Sequence, residues 1–177
     1  MSIFNILLHQ PNLLLPTIKS RCQKLSFSNL DQTDLGAVLT AIGCKIQPSD
    51  EVSLSILSKG SAGAACRLIN SNCINLYRDI LNIASSLPNL NTNKILQLSQ
   101  NYFAKAKPSE FEIFIEMMQH FFSRLCKTGV MQKPVLPSLT DNEAKIMKSL
   151  CPNLKSARLW SEAANISLAK LNKGYLL

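Results

Sequence analysis

The spacing of apolar residues along the chain predicts helices almost throughout. From residue 29 onward apolar side chains recur every three or four positions, as at Leu35, Leu39 and Ile42, which is the period of an amphipathic helix. Only residues 2–9 form a short apolar run of the kind typical of a buried strand. The pattern therefore predicts an all-α protein with one short strand at its N-terminus.

Three helices are predicted between residues 29 and 72. The first ends at Gly43, and the second begins near residues 48–51, where Ser49 or Asp50 is a candidate N-cap. Gly60 closes the second helix and Ser61 caps the third, because glycine favours helix ends and serine accepts from free N–H groups at helix starts. We expect these three helices to form a small bundle.

Longer helices are predicted after residue 72. The strongest apolar pattern covers residues 109–126, and Ile113 and Met117 widen its apolar face, as expected for the centre of a second bundle. A groove of Met and Phe side chains for a partner is the alternative. Residues 129–137 contain two prolines and are predicted to be a linker, and residues 140–143 resemble a capping box. A bundle of five or six helices results.

A short segment near the N-terminus combines a helix-breaking residue with exposed basic chemistry. The apolar residues 13–15 stop at Pro16, which disfavours helix at the preceding position, and Arg21 follows within two turns. Leu25 and Phe27 are expected to return the chain to the core. Apolar anchors on both sides would then hold Arg21 at the edge of a cleft.

Residues 10–23, which end in Ser20-Arg21-Cys22-Gln23, resemble a segment of the AAA+ clamp-loader ATPases, and above all the delta-prime family of bacterial DNA polymerase III subunits. In that family the arginine of the Ser-Arg-Cys motif reaches across a subunit interface to the ATP of a neighbour. The resemblance implies that Arg21 acts in trans, with Ser20 and Cys22 as its motif neighbours. A surface arginine in a structural ion pair is the alternative.

The resemblance also implies a division of the chain. Residues 1–28 would be the end of a nucleotide-binding domain whose N-terminal module is missing, residues 29–72 a lid-like domain, and residues 73–177 a collar-like domain. ATP-hydrolysing members place an arginine two residues after the lid serine, where this chain has Gly63. The implied protein is a clamp-loader subunit that works in DNA replication and does not hydrolyse ATP itself. Its partners would be ATPase and clamp-opening subunits, with primed DNA reached through the complex.

The charge balance allows a second function. Nineteen Lys and Arg against eleven Asp and Glu give a net charge of +8, which suits an acidic partner. The basic residues are spread along the chain without a run of three, and few aromatic residues are available for stacking on bases. A basic helical adaptor that binds nucleic acid by itself is therefore the alternative to the clamp-loader hypothesis.

The cysteines and the N-terminus bear on the compartment. The six cysteines contain no Cys-x-x-Cys pair and have no histidine at metal spacing, so no metal site is predicted. Residues 3–8 are too short for a signal core or a membrane span. We expect a cytoplasmic protein with reduced cysteines that act as small apolar residues, and no membrane partner.

No autonomous active site is predicted. Cys22 with His9 would be a nucleophile and a base, but no orienting carboxylate or oxyanion hole accompanies them. No glycine is followed by lysine, so the chain lacks a P-loop, and no cofactor is expected. Arg21 needs none of these, because its chemistry would take place in the site of a neighbour.

Overall fold

The computed structural model describes residues 15–23, 25, 27–103 and 108–174, and the strand predicted at residues 2–9 lies outside them. The described ranges contain helices and no strand, so the predicted all-α fold is confirmed. The helices are α1 (Pro16–Lys19), α2 (Gln32–Ala41), α3 (Glu51–Ser58), α4 (Ala62–Asn70), α5 (Cys73–Ala84), α6 (Thr92–Phe103), α7 (Pro108–Met131), α8 (Glu143–Leu150) and α9 (Leu154–Gly174). A short 3-10 turn, Pro48–Asp50, precedes α3.

Local sequence signals explain the ends of the first helix group, α2–α4. Asp31 caps α2 by accepting from the N–H of Asp34 at 2.8 Å, and Ser61 caps α4 as predicted. Gly60 has φ +72°, and its carbonyl accepts from the N–H of Leu30 at 3.0 Å. A side chain at residue 60 would collide with Leu30, so this turn needs glycine for its backbone angle and for its packing.

Helix α7 is the centre of the second helix group, α5–α9. It packs along α9 over much of its length and also contacts α5 and α8. Its buried side chains include Met117 and Leu125, which join one continuous hydrophobic core with side chains of both helix groups. Residues of that core from other helices include Leu35, Leu39, Leu54, Leu57, Leu68, Leu76, Tyr77, Ile80, Met147 and Ala157.

The predicted end of this helix and the predicted linker at residues 129–137 are partly wrong. Helix α7 continues to Met131 and ends where Gln132 takes a positive φ of 55°. Gly129 lies inside the helix, where an added Cβ would overlap Cys151 Sγ and lie 2.9 Å from Ala157 Cβ. The glycine therefore allows close packing of α7 on the start of α9, and it does not end the helix.

A buried polar network fixes the chain between α7 and α8. Arg124 Nε donates to Glu143 Oε1 at 2.6 Å, and Arg124 Nη2 donates to the carbonyls of Val135 and Pro137. The hydroxyl of Tyr77 donates to the same carboxylate at 2.7 Å. Burial, followed by the charge of Glu143, raises the pKa of Tyr77 well above its ordinary value. The network ties α5, α7 and α8 to one buried charge pair.

This network also corrects the capping box predicted at residues 140–143. Glu143 is the first residue of α8, but its carboxylate accepts from the N–H of Leu139 at 2.5 Å and from Arg124. The N-cap position is occupied by Asn142, whose side chain caps no helical N–H. A glutamate that is buried and paired with an arginine serves the core instead of the helix end.

Polar contacts cross the predicted domain boundary at residues 72 and 73. Arg67 of α4 pairs with Glu116 of α7 at 2.8 Å, and Asp50 pairs with Arg78 of α5 at 2.9 Å. Ser53 Oγ of α3 donates to the carbonyl of Leu139 at 2.7 Å. The two helix groups are thus in direct contact, while the boundaries at residues 28 and 72 stay predictions.

Candidate interaction site around Ser20, Arg21 and Cys22

The motif follows a single helical turn that its own sequence specifies. Leu15 is extended, Pro16 occupies the first position of α1, and the helix ends after four residues. Ser20 Oγ donates to the carbonyl of Thr17 at 3.1 Å, and the N–H of Arg21 donates to the carbonyl of Ile18 at 3.1 Å. These hydrogen bonds from the Ser20 hydroxyl and the Arg21 backbone therefore fix the backbone position from which the Arg21 side chain extends.

The Arg21 side chain points to solvent. Arg21 is exposed, as are its neighbours Ser20 and Cys22, and no described residue forms an ion pair with it. A free guanidinium offers planar donors that match a carboxylate or a phosphate in two parallel hydrogen bonds. The alternative interpretation, a structural ion pair within the chain, finds no partner among the residues that the structure describes.

The apolar anchors expected around Arg21 are not formed by the described core. Leu25 is 74% exposed and Phe27 is 87% exposed, and Leu15 also faces solvent. Every described residue from 15 to 29 is exposed, because the core of the two helix groups begins at α2. The prediction that Leu25 and Phe27 return the chain to this core is wrong. The motif instead lies within a solvent-exposed segment that carries several apolar side chains.

The turn between α3 and α4 contains the serine N-cap expected from its sequence, but no arginine follows two residues after that serine. Ser61 is the N-cap of α4, and Gly63 lies in the first turn. An added Cβ at Gly63 would meet nothing within 4 Å, so packing does not require glycine there. Arg67, one turn later, is held by its ion pair with Glu116 on α7. Space exists at residue 63 for a side chain that the sequence lacks.

The other candidate chemical groups have structural roles or lie apart. His9, the possible base for Cys22, lies outside the described residues, and Cys22 has a free exposed thiol. His120 is half-buried, and burial lowers the pKa of its imidazole. Trp160 Nε1 donates to the carbonyl of Leu150 at 2.9 Å, and its ring packs beside that of Phe122. Trp160 is therefore a core anchor.

The wider of two clefts among the described residues is small. A cleft of about 170 Å³ lies beside α5 and α8 and is lined by Arg78, Asn82 and Asp141 among others. Pockets that bury a cofactor or substrate are usually about 300 Å³ or larger. No three His, Cys, Asp or Glu residues within the described ranges are grouped as they would be around a metal ion.

The C-terminal part of the chain holds an excess of exposed cations that the overall charge did not predict. Residues 124–174 hold nine of the nineteen Lys and Arg but only three of the eleven Asp and Glu. Arg124 and Glu143 neutralise each other in the core. We use the name basic surface for the seven exposed cations of this segment, Lys127, Lys133, Lys145, Lys148, Lys155, Arg158 and Lys170. None of these seven forms an ion pair with a described residue. Counting charge by segment would have found it.

Comparison with known proteins adds no relative. No protein-family model matches the chain, and no curated protein and no solved structure matches it. Among the described helices, none combines the length and the apolar character that crossing a membrane would require.

Proposed function

We propose that this chain is a non-hydrolysing clamp-loader subunit of the delta-prime type that works in DNA replication in the cytoplasm. The observation that carries the proposal is the exposed guanidinium of Arg21, which pairs with no residue that the structure describes, in the sequence Ser20-Arg21-Cys22 directly after the single turn of α1. A Ser-Arg-Cys sequence with a Pro-Thr-Ile lead-in is the pattern of that family. The absence of an arginine at Gly63 supports a subunit that does not hydrolyse ATP itself.

In this proposal Arg21 acts on a nucleotide bound by the adjacent subunit. Phosphoryl transfer spreads negative charge over the γ-phosphate oxygens in the transition state, and a guanidinium supplied from outside stabilises that charge. The planar fork of arginine makes two parallel hydrogen bonds, which the point charge of lysine does not reproduce. Ser20 would position the arginine, because its hydroxyl bonds back to Thr17 and closes the turn. Cys22 completes the motif without a chemical role.

The helices that follow the motif in the chain would hold Arg21 in position and would bind the other subunits. The first helix group would be the lid-like domain and the second the collar-like domain through which other clamp-loader subunits bind. Ion pairs from Arg67 to Glu116 and from Asp50 to Arg78 join the two groups, so a subunit bound by one group would also orient the other. The exposed Leu25 and Phe27 would lie against protein in the assembled complex.

The proposal is tested by ATP hydrolysis in a complex of this chain with bacterial clamp-loader ATPase subunits. Arg21→Ala is expected to leave assembly intact and to slow hydrolysis at the facing site by about 10³-fold or more, the usual effect of a trans-acting arginine. Arg21→Lys should be nearly as slow. Lys19→Ala, which removes an exposed cation two residues away, is the matched control and should hydrolyse normally.

Two outcomes would contradict the proposal. One is a complex with Arg21→Ala that assembles and hydrolyses ATP at the unchanged rate. The other is failure of the unsubstituted chain to bind any ATPase subunit. The first removes the catalytic role of Arg21, and the second removes the assembly role.

The basic surface favours a second candidate function, direct binding of nucleic acid. Seven exposed cations on the end of α7, the following loop, α8 and α9, none of them paired with a described residue, would contact phosphates. The half-buried Trp160 leaves little aromatic surface for base stacking. Neutralising Lys145, Lys148 and Lys155 together with glutamine should then weaken DNA binding and flatten its dependence on salt. Neutralising Lys45, Lys59 and Lys94, which lie elsewhere, is the control. Equal loss in both triple variants would reject a localised surface.

A further inference from the structure

Two cysteine thiols from different parts of the chain meet beside the core of the first helix group. Cys44 lies in the loop after α2, Cys66 lies in α4, and their Sγ atoms are 3.0 Å apart. Both residues are half-buried and both thiols are free. The spacing of the six cysteines does not predict this contact, because Cys44 and Cys66 are 22 residues apart in sequence.

The backbone on each side sets this approach. Gly43 has φ +79° and turns the chain at the end of α2, after which the N–H of Cys44 donates to the carbonyl of Leu39 at 2.9 Å. On α4, Ala65 and Leu68 on either side of Cys66 are fully buried, so the core fixes the face on which Cys66 lies. The two thiols therefore meet because two anchored backbones bring them together.

We propose that Cys44 and Cys66 form a thiol–disulfide site that takes a low-molecular-weight disulfide such as glutathione disulfide as its oxidant. One thiol of the pair loses its proton and attacks a sulfur of glutathione disulfide, which forms a mixed disulfide and releases one glutathione thiolate. The second thiol loses its proton and attacks the protein sulfur of the mixed disulfide. The Cys44–Cys66 bond forms and a second glutathione thiolate leaves. Two electrons pass to glutathione, and the two protons go to its thiolates.

The surroundings favour a disulfide over other uses of the pair. No third His, Cys, Asp or Glu in the described ranges joins them to complete a metal site. Cys73 and Cys151 are buried, so the oxidant does not reach their thiols in the folded chain. Cys22 is exposed and would only form a mixed disulfide with glutathione.

The bond would join the end of α2 to α4 and close a loop that contains α3. These three helices already pack on one another, so the bond would hold an existing arrangement. Oxidation would therefore reduce local opening of the first helix group. This inference stands apart from the proposed function, because it uses neither Arg21 nor the basic surface.

The test incubates the folded full-length chain with glutathione disulfide and analyses it by intact mass and by peptide mapping. We expect one internal disulfide beside a glutathione adduct on Cys22, seen as the loss of two hydrogen atoms in addition to the mass of that adduct and as a cross-linked peptide pair containing Cys44 and Cys66. Amide hydrogen exchange in α2, α3 and α4 should slow by about tenfold or more on oxidation, since the closed loop opposes opening.

Substitutions separate this site from general thiol reactivity. Cys44→Ser and Cys66→Ser should each abolish the internal disulfide and leave one glutathione on the remaining thiol of the pair. Cys126→Ser, which removes another half-buried thiol, should still form it. Two separate glutathione adducts on Cys44 and Cys66, or a cross-link that uses other cysteines as often, would overturn the proposal. The mapping of the unsubstituted chain decides this even if a variant fails to fold.

Discussion

Replacing Glu143 by glutamine measures how strongly one buried carboxylate holds α5, α7 and α8 together. The Glu143 side chain is 2% exposed and accepts from Tyr77, from Arg124 and from the N–H of Leu139. Glutamine keeps the shape and one acceptor oxygen, but it removes the negative charge and turns amide hydrogens toward the guanidinium. Arg124 would then be a buried cation without a counter-ion.

The structure sets the size of the expected effect. Removing one partner of a buried ion pair costs about 3–5 kcal/mol of unfolding free energy. Arg124 would keep the carbonyls of Val135 at 2.9 Å and Pro137 at 2.8 Å, which satisfy part of its charge, so we expect about 3 kcal/mol. The control is Glu116→Gln in the pair with Arg67. Those side chains are 28% and 48% exposed, and a solvated pair of this kind contributes at most about 1 kcal/mol.

Urea unfolding at neutral pH gives both numbers, with far-ultraviolet circular dichroism and the fluorescence of the single tryptophan, Trp160, as probes. The double variant with Arg124→Met and Glu143→Gln removes both charges. It should lose about 2 kcal/mol less than the sum of the two single losses, because neither charge is left buried alone. A Glu143→Gln loss no larger than that of Glu116→Gln, or strictly additive single losses, would refute this account of the network.

Two further predictions concern packing and alkaline pH. Gly129→Ala should destabilise the fold by about 1–3 kcal/mol, because the added Cβ would collide with Cys151. Gly36 in α2 has open space around it, so Gly36→Ala should stabilise the fold by up to about 1 kcal/mol. Similar urea midpoints for the two variants would contradict the close packing at Gly129. Burial, then the charge and hydrogen bond of Asp79, raises the pKa of Tyr102 to about 12. The protonated phenol therefore stabilises the fold below about pH 10, and this contribution is lost as the pH rises toward 12. The difference in unfolding free energy between the unsubstituted chain and Tyr102→Phe should become smaller over that range. A constant difference would show that the phenol does not titrate in this way.

The helices themselves were predictable because their signals are local. The Gly60-Ser61 pair marks the end of α3 and the start of α4, and Ser61 caps α4 as expected. The apolar period of α7 identified the centre of the second helix group. Such features need only neighbours within one or two turns, which a single sequence displays.

The misinterpreted positions depend on residues far away in the chain. Gly129 was assigned to a linker, but it lies inside α7, where its lack of a side chain allows the contact with α9. Glu143 resembled a capping residue, but it pairs with Arg124 nineteen residues earlier. Cys44 and Cys66 meet only because Gly43 turns the chain after α2. Each case required a tertiary contact that no local spacing records.

The residues of the candidate site were predicted from the sequence, but the prediction of their surroundings was wrong. Ser20, Arg21 and Cys22 lie in one exposed turn, and the short helix before them begins at Pro16. The prediction that Leu25 and Phe27 anchor this turn was wrong, because apolar character alone does not determine which surface a side chain packs against. The role of Arg21 stays a prediction.

The most direct test of that role is trapping of ADP with aluminium fluoride in the assembled complex with ATPase subunits. Aluminium fluoride imitates the phosphoryl group in transfer, so a trans-acting arginine should be needed to hold it but not to bind ATP. We predict that Arg21→Ala loses the trapped ADP–aluminium fluoride at one site while its ATP affinity stays unchanged. Trapping equal to that of the unsubstituted complex would contradict the claim that Arg21 serves the nucleotide of a neighbour.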